Sequence, residues 1–342
     1  MLSVSVVVPV RSMVQTLPHC LAGLAALDPA PQEIILVDNG SRDGSLELLR
    51  AFARDRPRAQ VLTEARRGAA AARNAGSRAA QGDLIAFTDA DCTPEAAWLR
   101  HLTEPFADPA IGAVAGRVVA APPASTLELF SALYTLQLPD RPARRREWTP
   151  WEGGYPTANL AVRHTLLEAL GGFDADVGIY GEDYDLCARL YARGFEIAYV
   201  SEARVAHHHR TTLRGVVRQA FGFGRSHPYM LRRHAAGGVW LDLPWRSVRW
   251  EGFPVRAWVN LASADKKVLA VLAAGVAYRP ALWLLPLYAA WLAAATSRRA
   301  RQAGAAVSPA AAAGLAGLLL LKSAAMTAGR WWGSVRYGAL CL

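Results

Sequence analysis

Asp83-Leu-Ile-Ala-Phe-Thr-Asp-Ala-Asp-Cys-Thr-Pro94 decides how the first two thirds of this chain are read. Its first half is a continuous apolar run of strand length, which predicts a strand buried on both faces. Its second half sets Asp89 and Asp91 just past that strand, where both carboxylates can turn toward one point. Two earlier runs follow the same pattern: β-branched Val4-Ser-Val-Val-Val-Pro9, and Glu33-Ile-Ile-Leu-Val-Asp38, which also ends in an acid. Helix patterns lie between, from Leu17 to Leu27 and Ser45 to Arg54. A short strand at Gln60-Val-Leu62 and an alanine-rich helix from Gly68 to Ala80 come next. Strands alternating with helices predict βαβ units, hence an α/β fold with a mainly parallel sheet and helices on both faces. Ligands of such sheets bind beyond the carboxyl ends of the strands, where Asp38 and Asp89 stand.

Further along, strands are expected at 113–119, 157–163 and 196–200, and helices at 126–138, 185–193 and 212–225, with a Pro/Arg/Trp-rich loop at 141–152. Past Ala264 the composition changes. Val268 to Ala295 is almost wholly apolar except for Arg279-Pro280, Ser297 to Arg301 is basic, and Ala303 to Leu321 is apolar again. Such lengths suit membrane spans, a hairpin in one leaflet, or alanine-rich helices packed in a soluble core. Basic clusters flank both segments, so the positive-inside rule favours no topology. Trp240, Trp245 and Trp250 with nearby arginines suggest an interfacial stretch ahead of them. The expected organisation is a catalytic domain at 1–226, an amphipathic interfacial linker at 227–265 and a membrane-associated helical tail at 266–342.

Composition narrows the class. Of 342 residues 52% are hydrophobic and 19% charged, which excludes a disordered chain and a collagen-like repeat. Cys20, Cys92, Cys187 and Cys341 are scattered without Cys-x-x-Cys spacing, so neither a zinc ribbon nor a disulfide framework is expected, and a reducing compartment fits. Met1-Leu-Ser leads directly into a strand and is not expected to be an export signal. The net charge of +10 is uneven: residues 252–342 hold ten Lys and Arg against one Asp. That excess is interleaved with apolar runs, which points to anionic lipid headgroups and away from nucleic acid.

Three constellations can carry chemistry. Asp89-Ala-Asp91 offers oxygen donors for a hard divalent cation, although Asp91 or Thr93 could equally cap a helix. Asp38-Asn-Gly-Ser41 reads as a strand-end turn, or as an acid placed to accept the imide N–H of a pyrimidine base. Gly181-Glu182-Asp183-Tyr184-Asp185 opens a helix with more acid than a cap requires. Crowding raises the pKa of at least one carboxyl, one route to a general base.

The ordered series Val-Val-Val-Pro-Val-Arg, Val-Asp-Asn-Gly-Ser, Ala-Arg73-Asn74-Ala-Gly76, Thr-Asp-Ala-Asp, Gly-Gly-Phe-Asp174 and Gly-Glu-Asp-Tyr-Asp closely resembles the family 2 glycosyltransferases of the GT-A fold, over residues 3–226. The resemblance implies an inverting transfer of one sugar from a UDP- or dTDP-type nucleotide sugar, assisted by Mg2+ or Mn2+. It implies that Pro9, Val10 and Arg11 line the nucleotide base, with Arg11 where an aromatic residue is common. It assigns Asp38 to the base, Arg73 to the nucleotide's phosphates, Asp89 to the ribose, Asp91 to the metal, and Asp183 to the general base with Glu182 beside it. Asn159 falls where similar enzymes approach the donor sugar, or it is a buried structural amide. His207, first of His207-His208-His209, could complete the metal shell, or the three could be surface histidines. Trp148, Trp151 and Tyr155 could form an acceptor platform or anchor a loop. The tail resembles bacterial members on the cytoplasmic face of the plasma membrane that build lipid-linked or cell-envelope glycans. Competing readings are a processive polysaccharide synthase, a nucleotidyltransferase on a related fold, and a non-catalytic nucleotide-sugar-binding protein. The early glycine-rich loop typical of nucleotidyltransferases is missing after the first strand, and so is the synthase Gln-x-x-Arg-Trp pattern.

Overall fold

Two compact units make up the chain, one of residues 1–121 and 136–208, the other of residues 122–135 and 209–342. The computed structural model describes residues 2–138, 140–150, 152–176 and 180–342. In chain order the elements are β1 (Val4–Val10), α1 (Leu17–Ala25), β2 (Glu33–Asp38), α2 (Ser45–Arg54), β3 (Ala59–Thr63), α3 (Ala69–Ala79), β4 (Leu84–Thr88) and β5 (Cys92–Pro94). Then come α4 (Trp98–Thr103), β6 (Ile111–Ala120), α5 (Thr126–Tyr134), β7 (Ala143–Arg145), β8 (Asn159–Arg163), α6 (His164–Ala169), α7 (Glu182–Ala192) and β9 (Glu196–His207).

The first unit is built on a nine-stranded sheet of order β3-β2-β1-β4-β8-β6-β9-β5, with β7 also paired to β9. The pairs β3-β2, β2-β1, β1-β4 and β6-β9 are parallel, as the βαβ alternation predicts. Strand β8 inserts antiparallel between β4 and β6, opposing Thr88 with Asn159. Alternate residues feed two cores. Val6, Val8 and Val10 join Leu24 and Trp98 on one face, whereas Val7, Ile35 and Phe87 join Leu186 and Ile197 on the other. Alanines dominate α3 because it lies hard against β1: a Cβ on Gly76 would sit 2.4 Å from a Val7 methyl. Ser5, buried within β1, is satisfied by the Glu33 carboxylate at 2.7 Å and the Gly82 N–H at 2.9 Å.

Two departures from the sequence reading matter. The strand expected at 196–200 continues to His207, and its far half pairs with β5 so that Cys92 opposes His207. Part of the expected 141–152 loop forms β7 on the edge of β9.

The second unit contains α5, α8 (Leu213–His234), β10 (Gly238–Asp242), β11 (Ser247–Glu251), β12 (Arg256–Asn260), α9 (Ala264–Ala277), α10 (Leu284–Gln302), α11 (Pro309–Tyr337) and β13 (Leu340–Cys341). The boundary expected at 226 falls inside α8, which runs on through Pro228. Residues 238–260, expected within an interfacial linker, form three strands of a sheet of order β11-β10-β12-β13. Trp240 turns inward from β10, 2% exposed, whereas Trp245 in the connection to β11 and Trp250 on β11 are exposed. By length and composition, Arg279–Gln302 and Pro309–Tyr337 could each cross a membrane.

Candidate active site

Asp89, just past β4, and Glu182, which opens α7, meet at one cation. Arg73, in the middle of α3, is 3% exposed, and its two terminal nitrogens reach Asp89 Oδ1 at 2.7 Å and Glu182 Oε1 at 2.8 Å. Burial opposes its charge, but Asp89 and Glu182 outweigh burial and raise its pKa above the usual arginine range. Both terminal nitrogens of Arg73 are thus engaged by carboxylates in this structure. The adjacent Asn74 clamps the turn before α7: its amide accepts the Phe173 N–H and donates to the Phe173 carbonyl, both at 2.7 Å. Gly172 there has φ +75°, and a Cβ on it would meet the Asn74 oxygen at 2.5 Å. The dipeptide Arg73-Asn74 thus ties β4 and the 172–173 turn to the start of α7.

Three acids now share one arginine. Glu182 is 5% exposed, and its Oε2 makes no hydrogen bond. Burial raises its pKa, opposed by Arg73. Asp183, partly exposed beside it, is pushed up to about 7, first by desolvation and then by the Glu182 charge, with Arg73 pulling the other way. One cation cannot neutralise three carboxylates, so the last is poised to gain or release a proton near neutrality. Asp185 takes no part in this, since it is fully buried and paired with Arg189 at 2.7 Å.

The β5–β9 pairing builds the neighbouring cluster. Across the antiparallel ladder Cys92 faces His207, and the backbone N–H of His208 donates to the Asp91 carbonyl at 2.8 Å. His207 Nε2 lies 3.6 Å from Asp91 Oδ2, and these two with Cys92 form a group whose donor atoms all lie within 4.8 Å. Two donors each ~2.1 Å from a common ion and 3.6 Å apart would subtend roughly 120° there, an open but feasible angle. Asp91 and His207 therefore fit a divalent cation. Cys92, which sequence reasoning had not singled out, is buried with its thiol pKa raised by desolvation and by Asp91, and packs into the core as a protonated side chain. The stacked rings of His19 and His208, 4.8 Å apart, flank this cluster.

The carboxyl ends of β1 and β2 form the other wall. Asp38 is 4% exposed and accepts the Gly40 and Ser41 N–H groups at 3.2 Å. Asn39, also missed, anchors the approach to α3 by donating to the Glu64 and Arg66 carbonyls and accepting the Gly68 N–H, each at 2.8 Å. Pro9 is partly buried and Arg11 is exposed at the strand end. Val10, the register partner of Asp38, is 1% exposed in the core that holds Val6 and Val8, and its carbonyl takes the Asn39 N–H.

Asn159 calls for a correction. Fully buried, it accepts the Trp98 indole N–H at 2.8 Å and donates to the Arg117 and Ala203 carbonyls at 2.9 and 2.8 Å. It bridges the register shift between β6 and β9, occupying the space that a Cβ on Gly116 would need, and is a structural amide. Tyr155 is buried and stacks on Tyr199, Trp148 packs against the core, and Trp151 lies outside the described residues. The exposed aromatic beside the acids is Tyr184, whose ring lies over Gly154.

With the geometry in place, likeness to known proteins can be weighed. The family model for glycosyl transferase family 2 matches residues 5–171. The pre-mycofactocin glycosyltransferase of Mycobacterium tuberculosis is 33% identical over 237 residues, covering 67% of this chain and 48% of that protein. Glycosyltransferase AglE of Haloferax volcanii is 27% identical over 209 residues, covering 60% of this chain and 66% of its own length. The chain thus spans about half the length of the mycobacterial relative. Among solved structures, a mannosyltransferase from Pyrobaculum calidifontis, in complex with GDP-Man and Mn2+, superposes with a TM-score of 0.62 over 97% of this chain and 87% of that one, at 22% identity. That likeness establishes the fold.

Proposed function

The chain belongs to glycosyl transferase family 2, and on that premise we propose that it moves one sugar from a nucleotide-sugar donor, with inversion and with a divalent cation, onto a lipid-linked or cell-envelope glycan. The observation that carries the reading is the Arg73 bridge from Asp89 to Glu182, which brings Asp89 to the helix start whose next residue, Asp183, is held near neutral pH. Asp183 takes the proton of the acceptor hydroxyl as its oxygen attacks the anomeric carbon in line; the bond from that carbon to the diphosphate oxygen breaks. Glu182 and Arg73 position Asp183 and set the pH at which it ionises. Asp38, with Pro9 and Arg11, is assigned to the nucleotide base, and Asp89 to the ribose. Asp91 and His207 would hold Mg2+ or Mn2+, which when bound supplies positive charge at the diphosphate. Tyr184, exposed next to Asp183, offers an aromatic face to an acceptor sugar ring.

The Mn2+ and GDP-Man in the archaeal mannosyltransferase support a cation and a nucleotide-sugar donor of this kind, without naming the base or the sugar. The apolar helices of the second unit support a membrane seat, proposed on the cytoplasmic face. The test is a donor screen that follows nucleoside diphosphate release with and without chelator. Asp183→Asn is expected to abolish transfer and keep nucleotide binding, while Asp91→Ala impairs both. Full transfer by the Asp183 variant would remove the base assignment. Release of pyrophosphate in place of nucleoside diphosphate would favour a nucleotidyltransferase.

A further inference from the structure

The most apolar surface of the second unit lies on α9 to α11, and which helices travel together decides how a bilayer could receive it. Helices α8 and α11 run side by side at backbone contact. Near one end Val216 and Leu315 share a cluster. Toward the other, a Cβ on Gly224 would sit 2.0 Å from the Met326 carbonyl, one on Gly329 2.2 Å from the Phe221 carbonyl, and one on Gly333 2.7 Å from the Arg225 carbonyl. Helix α8 carries Arg214, Arg218, Arg225, Arg232 and Arg233. If α11 crossed the hydrocarbon it would carry α8 and these guanidinium groups with it, and charged groups are among the costliest to place there. The middle of α11 is also covered by protein. The Lys322 ammonium donates to the Tyr134 carbonyl and to Thr135 Oγ1, at the end of α5.

The other two helices offer shorter apolar runs. Helix α9 has 14 residues, about 21 Å at ~1.5 Å per residue, against a hydrocarbon thickness of ~30 Å. The segment Arg279–Trp283 runs straight into α10, and the apolar run is bounded by Arg279 on one side and Arg298 on the other, so residues 281–296 span about 24 Å. Yet this surface is strongly apolar: Val276 is 89% exposed, Trp283 75% and Leu287 65%. The turn between α9 and α10 holds Tyr278, Arg279 and Trp283, residue types that favour the headgroup level over the bilayer centre. The base of α9 is pinned to α11, with Asp265 accepting from Ser323 at 2.5 Å and Thr327 at 2.6 Å.

We propose that the second unit lies in one leaflet, along its surface, with no helix crossing. The α9–α10 face enters the acyl boundary, and Lys267, Arg279, Arg298, Arg299 and Arg301 meet anionic headgroups. This rests on the membrane seat proposed above and not on sugar transfer. It predicts that the 301–308 loop stays on the same side of the membrane as residues 1–208.

Two measurements on the full chain test it. In flotation, the protein should rise with phosphatidylglycerol vesicles far more than with phosphatidylcholine vesicles, and Val276→Asp should cut the bound fraction at least tenfold. Inside-out membrane vesicles from expressing cells are then treated with an impermeant maleimide, against a background of four buried native cysteines. Asp55→Cys, exposed in the first unit, and Gln302→Cys, exposed at the end of α10, should label equally before detergent. Protection of Gln302→Cys until detergent is added means a crossing helix and overturns the proposal while leaving membrane binding intact. A protein that floats with neither vesicle overturns the membrane seat and this proposal together. Neither readout depends on transfer activity.

Discussion

Replacing Glu182 by Gln tests how the crowded acids set the working pH. Asp183 is pushed up to about 7 by burial first and by the Glu182 charge second, with Arg73 opposing both. A base must be ionised, so kcat/KM should climb tenfold per pH unit below that value and flatten above it, leaving at pH 5 about 1% of the plateau. Glu182→Gln removes the like charge and keeps the burial. The acid limb should move to lower pH and still stay above the ~3.9 of an unburied aspartate. For each pH unit that the limb moves, the fraction of plateau activity remaining at pH 5 rises about tenfold. Asp89 keeps its 2.7 Å contact, so Arg73 retains one partner in the variant. The assay is nucleoside diphosphate release from pH 5 to 9, each profile scaled to its own plateau so that a lower maximal rate does not enter. An acid limb that stays in place, or moves up, would refute the reasoning that Glu182 tunes Asp183.

Arg73→Met leaves Glu182 buried without its cation. The cost of breaking such a pair, ~3–5 kcal/mol, should appear in urea unfolding at pH 8 and shrink as the pH falls, because burial without the cation favours the protonated carboxyl of Glu182. Because Asp183 titrates higher folded than unfolded, its protonated form favours folding at acid pH, and that contribution fades as pH rises through about 7. Asp183→Asn should therefore gain thermal stability relative to the parent at pH 8 and little at pH 5. Asn159→Ala leaves the Trp98 N–H and two carbonyls unpaired, at ~1–3 kcal/mol for each group. Its unfolding midpoint should fall while the folded fraction keeps the parental KM for donor; a changed KM would restore Asn159 to the donor site. Asp91→Ala and His207→Ala should each weaken Mn2+ binding measured by electron paramagnetic resonance. Parental affinity in both variants would separate the cation from this cluster.

The alternation of apolar runs with helix patterns was enough to predict the parallel half of the sheet, because burial on both faces leaves an uninterrupted trace in a strand. Most of the acids could be read too, since they stand where strands end and helices begin. The motif names Pro9, Val10 and Arg11 together, whereas the strand sends the Val10 side chain into the core with Val6 and Val8. Asn159 was misplaced because a chain-wise motif carries no record of the register shift between β6 and β9 that its amide fills. Arg73 was recognised, but its two carboxylate partners were not legible, because they lie 16 and 109 residues away.

The amino-acid order by itself determined the layered α/β plan, the carboxylates at the strand and helix ends and the apolar character of the tail, all of which follow from local pattern and composition. Only the tertiary structure decided that one buried guanidinium must serve Asp89 and Glu182, that Asp183 is the acid left short of a cation, and that β9 runs far enough to bring His207 to Asp91. Such properties depend on distance and desolvation between groups remote in the chain, and these exist only once the chain has packed.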